Sequence, residues 1–177
     1  LSEEAEKVPA GSDGLMTVLD WLAPVDARYK KGIMIGFDGR HTRGHIYRSI
    51  LEAVAMTIKG HTEDMVNEVG VTLDKIIITG GGSNSDLFMQ IFADVFNLPA
   101  VRNVVNGAAG LGSAICAAVA TDVYGSFEEA VEGMVKIQDT FVPNPENVEL
   151  YKKMIPIYKD ITVHTDEVLK KTYELFE

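Results

Sequence analysis

Gly80, Gly81 and Gly82, followed at once by Ser83, Asn84, Ser85 and Asp86, form the stretch of this chain best suited to hold a ligand. Three residues without side chains let the backbone turn sharply and let a flat or anionic group come close. The polar residues after them supply side-chain oxygens that cap a helix N-terminus, where free N–H groups and the positive end of the helix dipole face the loop. The amide of Asn84 and the hydroxyl of Ser85 have donors and acceptors to spare for a bound group. The stretch has neither the Gly-Lys-Ser/Thr ending of a P-loop nor the spaced glycines of a dinucleotide fingerprint. Alone, it leaves two readings open, a nucleotide-binding loop and a tight strand-to-helix connection that binds nothing.

Other side chains with chemical potential are more easily read as structure. His41 and His45 lie one helical turn apart, a spacing that suits a metal, but no cysteine or carboxylate completes a set, and surface or capping roles are favoured over metal. Arg48 and Glu52 are four apart and read as a structural ion pair, with a substrate contact as the alternative. Asp38 and Asp94 are acids without an evident partner base, and neither is assigned a catalytic role. The lysines of the last thirty residues, interleaved with acids, read as a solvated face.

The elements that position the glycines follow from periodicity. Ile76, Ile77, Ile78 and Thr79 are β-branched, and a short apolar run of this kind suits a buried strand. Leu87, Ile91 and Val95 then repeat at helical spacing, so a helix starts where the glycines end. Upstream, Ile46, Ile50, Val54, Ile58, Met65 and Val69 predict a helix from His41 to a cap at Gly70, the longest expected in the chain. The first forty residues, rich in Gly and Pro, read as loops over a surface. Downstream, Ala100 to Val105 predicts a second strand, Asn106-Gly107 a turn, and Ala108 to Thr121 a helix of small residues able to pack tightly on a sheet or beside a ligand. Ser126 to Glu129 has the spacing of a capping box for a helix to about Lys136. Asn144-Pro145 opens a polar helix expected to bend or break at Pro156. Strands alternating with helices predict a parallel sheet, but two strands are too few to stand alone. With no initiator methionine at the start, the expectation is a piece of a longer protein that supplies the other strands.

Bulk composition narrows the partners. At 177 residues, 46% hydrophobic and 24% charged, the chain is ordinary for one globular domain. A net charge of −10 with scattered basic residues argues against nucleic acid. No apolar run approaches a membrane span, and no signal peptide is evident. The single cysteine, Cys116, lies in an alanine-rich run and reads as a small core residue in a reducing, cytoplasmic protein.

Five segments, in order, resemble the C-terminal domain of the FGGY carbohydrate kinases, with xylulokinase-like character. They are GSDGLMTVLDWLAP, DARYKKGIMIGF, HTRGHIYRSILEAVAM, GGGSNSDLFMQIFADVFNLPA and GLGSAICAAVA. The family's Gly-Glu-Arg motif is missing from WLAPVDARYKKG, a neutral stretch at 106–110 replaces an acidic residue common in the family, and the phosphate-binding Gly-Thr segment is not in the chain.

The resemblance implies an α/β, actin-like and ribonuclease-H-like ATPase fold, helix-rich with a truncated parallel sheet. Residues 1–177 would be part of the nucleotide-binding domain, with the sugar-binding domain and its catalytic aspartate absent. It implies ATP and Mg2+ as cofactors, and phosphoryl transfer to a sugar hydroxyl, a pentulose such as xylulose being favoured. Gly80, Gly81 and Gly82 would border adenine and ribose, and Ser85, or Asn84 beside it, would hydrogen-bond the base. No catalytic and no metal-binding residue is assigned. The chain alone is expected to be inactive, in a protein that binds nucleotide and a small sugar, and neither nucleic acid nor membrane, and that is compatible with a homodimer. A non-catalytic actin-like module for regulation or assembly is the rival reading, and an acetate-kinase-like relative a more remote one.

Overall fold

The computed structural model describes residues 1–176. The first forty residues are more ordered than their Gly and Pro content suggests: α1 (Ser2–Ala5) leads into a turn at Ser12–Gly14 and an antiparallel pair, β1 (Met16–Val18) with β2 (Ile33–Ile35). The long helix α2 (Arg43–Val69) starts at its Thr42 cap and ends on Gly70, whose left-handed φ of 73° suits glycine. It is followed by β3 (Ile76–Ile78), α3 (Asp86–Phe96), β4 (Ala100–Asn103), α4 (Ala108–Ala120), α5 (Phe127–Met134), β5 (Ile137–Phe141) and α6 (Pro145–Phe176).

The sheet corrects the expected topology. β3 and β4 run parallel, but β5 pairs antiparallel with β4, so the three strands form a mixed sheet in the order β3-β4-β5. β5 escapes sequence reading because its residues, Ile-Gln-Asp-Thr-Phe, are mostly exposed and carry no continuous apolar run. At 32 residues, α6 is longer than α2, and it continues through Pro156. Its start was legible: Asn144 Oδ1 accepts from the Glu146 amide, as an N-cap does.

The core lies where α3 crosses α2 and α6. Met89, Ile91, Phe92 and Val95 of α3 pack among Ala53 and Met56 of α2 and Tyr151 and Met154 of α6. Asp94 is buried here as a junction, accepting from the Asn144 amide at 2.7 Å and from Asn147 Nδ2 at 2.7 Å, so it ties α3 to the start of α6. Two sequence expectations fail at α4. Only Ile115 of this helix is buried, its packing partner is α5 rather than the sheet, and Cys116 is exposed instead of lying in the core. No helix among the described residues is long and apolar enough to cross a membrane.

Candidate functional site

The three glycines have different tasks. Gly80 sits at φ 84° and ψ −173°, a conformation essentially restricted to glycine, and there the chain leaves β3. Its carbonyl accepts from the Ser83 amide at 3.1 Å and the Ser83 hydroxyl at 2.7 Å, which closes the turn Gly81–Asn84. Gly82 lies against Phe88, where a Cβ would come within 2.8 Å of the ring. Gly81 faces open space. Ser85 then caps α3, its Oγ accepting from the Phe88 amide at 3.3 Å.

Two residues beyond the turn hold it. Arg102, on β4, donates from Nη1 to the Ser83 carbonyl at 2.9 Å and to Asp86 Oδ1 at 2.8 Å. On the other side it donates to Asp139 on β5, from Nε at 2.9 Å and also from Nη2. Asp139 and then Asp86 push the Arg102 pKa up, and Arg102 holds the Asp139 carboxyl below its ordinary range. Asn106 donates from Nδ2 to Asn84 Oδ1 at 2.7 Å, and its carbonyl accepts from the Gly80 amide at 2.8 Å.

The turn forms one wall of an open cleft of about 720 Å³, within the range of small-molecule sites. Gly81, Gly82, Asn84 and Ser85 line it together with Asp86 and Phe88, so four of the five residues singled out from sequence meet in one place. Gly80 does not line the cleft; it shapes the backbone behind it. With Asn84 Oδ1 occupied by Asn106, the Asn84 Nδ2 is the group left to donate, and the Ser85 hydroxyl keeps its proton to donate while its oxygen caps α3.

The opposite wall was not foreseen. Tyr47, Leu51 and Val54 of α2 and Ser2 and Glu6 at α1 supply it. The three α2 residues share one helical face, a spacing visible in the sequence but indistinguishable there from ordinary core packing. α1 reaches this position because Gly44 has no side chain, since a Cβ there would meet the Glu4 carbonyl at 2.9 Å. Arg43 clasps Glu4 with two bonds of 2.6 Å, and Arg48 Nη1 donates to the Val8 carbonyl at 2.8 Å. The result is a cleft in which Tyr47, Leu51 and Val54 on the α2 side and Phe88 on the turn side supply apolar surface beside polar backbone, amide and hydroxyl groups, with Ser2, Glu6 and Asp86 also at its lining. That combination suits a flat heteroaromatic ring whose edge seeks hydrogen bonds.

The remaining candidates have structural tasks. Arg48 and Glu52 form the expected ion pair, Nε to Oε1 at 2.9 Å, deep in the core. Glu52 also accepts from the Gly11 amide, the Ser12 hydroxyl and the Tyr151 hydroxyl, each at 2.8 Å. These bonds anchor a turn in which Gly11, Ser12, Asp13 and Gly14 all have positive φ. His45 accepts at Nδ1 from the Thr42 amide at 3.2 Å, and its Nε2 meets Asp13 Oδ2 at 3.1 Å, so both ring nitrogens serve capping and turn contacts. The His41 ring stacks edge-on against it with centroids 5.2 Å apart, and His41 Nδ1 accepts from the Asp38 amide at 2.8 Å. No group of three or more His, Cys, Asp or Glu residues among those described is placed to hold a metal.

Comparison with known proteins gives this geometry a context. Residues 17–121 match the model of the FGGY family of carbohydrate kinases, C-terminal domain. The chain is 54% identical over 176 residues to the uncharacterized sugar kinase YgcE of Escherichia coli (strain K12), covering 99% of this chain and 36% of that protein. It is 29% identical over 171 residues to the xylulose kinase of Bacillus subtilis (strain 168), covering 95% of this chain and 34% of the relative. Among solved structures, the xylulose kinase from Rhodospirillum rubrum superposes with a TM-score of 0.80 at 26% identity, covering 96% of this chain and 34% of that one. Plasmodium falciparum glycerol kinase with ADP shares the fold, with a TM-score of 0.77 at 18% identity over 93% of this chain and 33% of its own. The chain therefore has the actin-like fold of these kinases and spans about a third of the length of the curated relatives it matches.

Proposed function

The chain belongs to the FGGY family of carbohydrate kinases, and on that premise we propose that it forms the adenosine-binding part of an ATP-dependent sugar kinase. The observation that carries this reading is the convergence of Gly81, Gly82, Asn84 and Ser85 on one wall of a cleft whose other wall carries the apolar side chains Leu51 and Val54 and the ring of Tyr47. Gly81, with no side chain, would let the base approach the backbone, Phe88 and Tyr47 would supply apolar contact, and Asn84 Nδ2 and the Ser85 hydroxyl would be available to donate to it. Gly80 keeps the backbone in the conformation this requires.

When bound, ATP supplies the γ-phosphoryl group for transfer to a sugar hydroxyl, and a pentulose such as xylulose is the acceptor we favour. The carboxylates lining the cleft are Glu6 and Asp86, and Asp86 is engaged by Arg102, so among the described residues the cleft offers no carboxylate set for the magnesium that accompanies ATP. Residues of the longer protein would complete the phosphate and metal sites. They would also bring the sugar and the catalytic base, and would add strands beside β3, an edge strand on which Ile77 is exposed. Catalysis in such an enzyme rests on positioning and charge stabilisation. A cytoplasmic location fits a consumer of ATP.

A coupled assay of ADP release tests the division of labour. The longer kinase carrying these residues should release ADP in the presence of a pentulose, and residues 1–177 alone should not. Sugar-dependent ADP release by the short chain would show that the catalytic parts are not elsewhere.

A further inference from the structure

We propose that Arg102 is the positioning residue of the nucleotide cleft: from the neighbouring strand β4 it fixes the turn Gly81–Asn84 where Asn84 and Ser85 meet the ligand. The inference rests on the nucleotide reading for its ligand, but its geometry stands apart from it. Arg102 occupies a strand position where the sheet itself needs only an extended residue, and its neighbours Ala100 and Val101 are apolar and buried. A guanidinium placed there, with its side chain only 9% exposed, is costly unless each face is paired. Here each is. Nε and Nη2 reach Asp139, the residue directly opposite on β5, and Nη1 reaches forward to the Ser83 carbonyl and Asp86. The ring of Phe141 lies 5.2 Å from the guanidinium carbon.

The two forward contacts bracket Asn84 and Ser85 in sequence, one on each side. A rigid planar fork held by Asp139 therefore transmits the position of β5 to the polar rim of the cleft. Lysine, with a flexible stem and a point charge, cannot hold Ser83, Asp86 and Asp139 in one plane. The residue touches no ligand; it acts through the turn.

The test compares Arg102→Met, Arg102→Lys and Asp139→Asn in the same protein, with three readouts: nucleotide affinity by calorimetry with ATP and ADP, thermal midpoint, and amide hydrogen exchange without nucleotide. Arg102→Met should weaken ATP at least tenfold, and Arg102→Lys by a smaller factor. Asp139→Asn, which keeps the forward contacts but loosens the fork, should weaken ATP by a smaller factor than Arg102→Met. Exchange in the Arg102 variants should rise at residues 81–88 and stay unchanged in α2 and α6. Affinity losses that simply follow the fall in thermal midpoint across all three variants would overturn the inference, as would protection at 81–88 that survives Arg102→Lys. If the unsubstituted protein binds no nucleotide, the reading of the cleft fails, and the exchange data still decide whether Arg102 holds the turn.

Discussion

Asn106 donates a 2.7 Å hydrogen bond to Asn84, joining the turn that follows β4 to the turn that follows β3. The bond fixes which end of the Asn84 amide faces the cleft. With Oδ1 engaged, Nδ2 is left to donate, and in the proposed site it would meet an acceptor on the ligand. Replacing Asn106 by Asp puts an acceptor opposite Oδ1 and turns the Asn84 amide around. Asn106→Asp should weaken ATP by roughly 1 kcal/mol, about fivefold, with little change in thermal midpoint, as calorimetry and a melting curve would show.

The glycines of the turn predict divergent outcomes. Gly80→Ala places a side chain at φ 84° and should cost about 1–3 kcal/mol of stability in denaturant titration. Gly81→Ala adds a methyl with no atom within 4 Å, so stability should hold while nucleotide affinity falls, because the methyl occupies the space the ligand needs. Unchanged ATP affinity in the Gly81→Ala protein would remove Gly81 from the site.

Glu52 anchors the N-terminal turn and the middle of α6 to α2. Glu52→Ala leaves Arg48 charged and buried without its partner and should destabilise the protein by about 3–5 kcal/mol in urea. Tyr151 belongs to the same cluster, where burial first and the Glu52 carboxylate second push its phenol above the ordinary value of 10.0. A phenol whose folded pKa is raised contributes stability that is complete below the unfolded value and is lost as pH rises past it. Alkaline unfolding should therefore set in above about pH 10, and Tyr151→Phe should reduce that dependence.

At the surface, hydrogen bonds from the Arg40 side chain, then from its backbone, hold the Asp38 carboxyl down at about 2 instead of 3.8. The pair contributes above the unfolded carboxylate value and is lost as pH falls through about 2. Arg40→Ala should bring the Asp38 midpoint back toward 3.8 in a carboxyl NMR titration, without altering the thermal midpoint, since both groups are well exposed.

The sequence made the turn legible because its signals are local. Four β-branched residues, three glycines and a capping serine each constrain their own backbone, and the structure puts β3, the turn and the Ser85 cap of α3 where those constraints point, although β3 is a part-buried edge strand with Ile77 exposed and not the buried strand its apolar run predicts. The helix over Ala108–Ala120 and the Ser126 cap of α5 were readable for the same reason. What escaped depends on contacts distant in sequence. The apolar wall needs α1 laid across α2 at Gly44, and the Arg102 clamp needs β5 beside β4 in a set register. The strand β5 has no apolar run of its own to announce it. Cys116 misled because an alanine-rich run looks the same whether its small residues are packed or open to solvent, and here they are open.

If the cleft lined by Gly81, Gly82, Asn84 and Ser85 holds the adenosine end of ATP, as proposed, backbone amide NMR during titration with ATP and ADP will show it. Both nucleotides should shift the amides of residues 80–88 together with those of Tyr47 and Leu51 across the cleft, saturably and at the same sites, because they share the adenosine. Shifts confined to other parts of the chain, or none at residues 80–88 at millimolar nucleotide, would contradict the assignment.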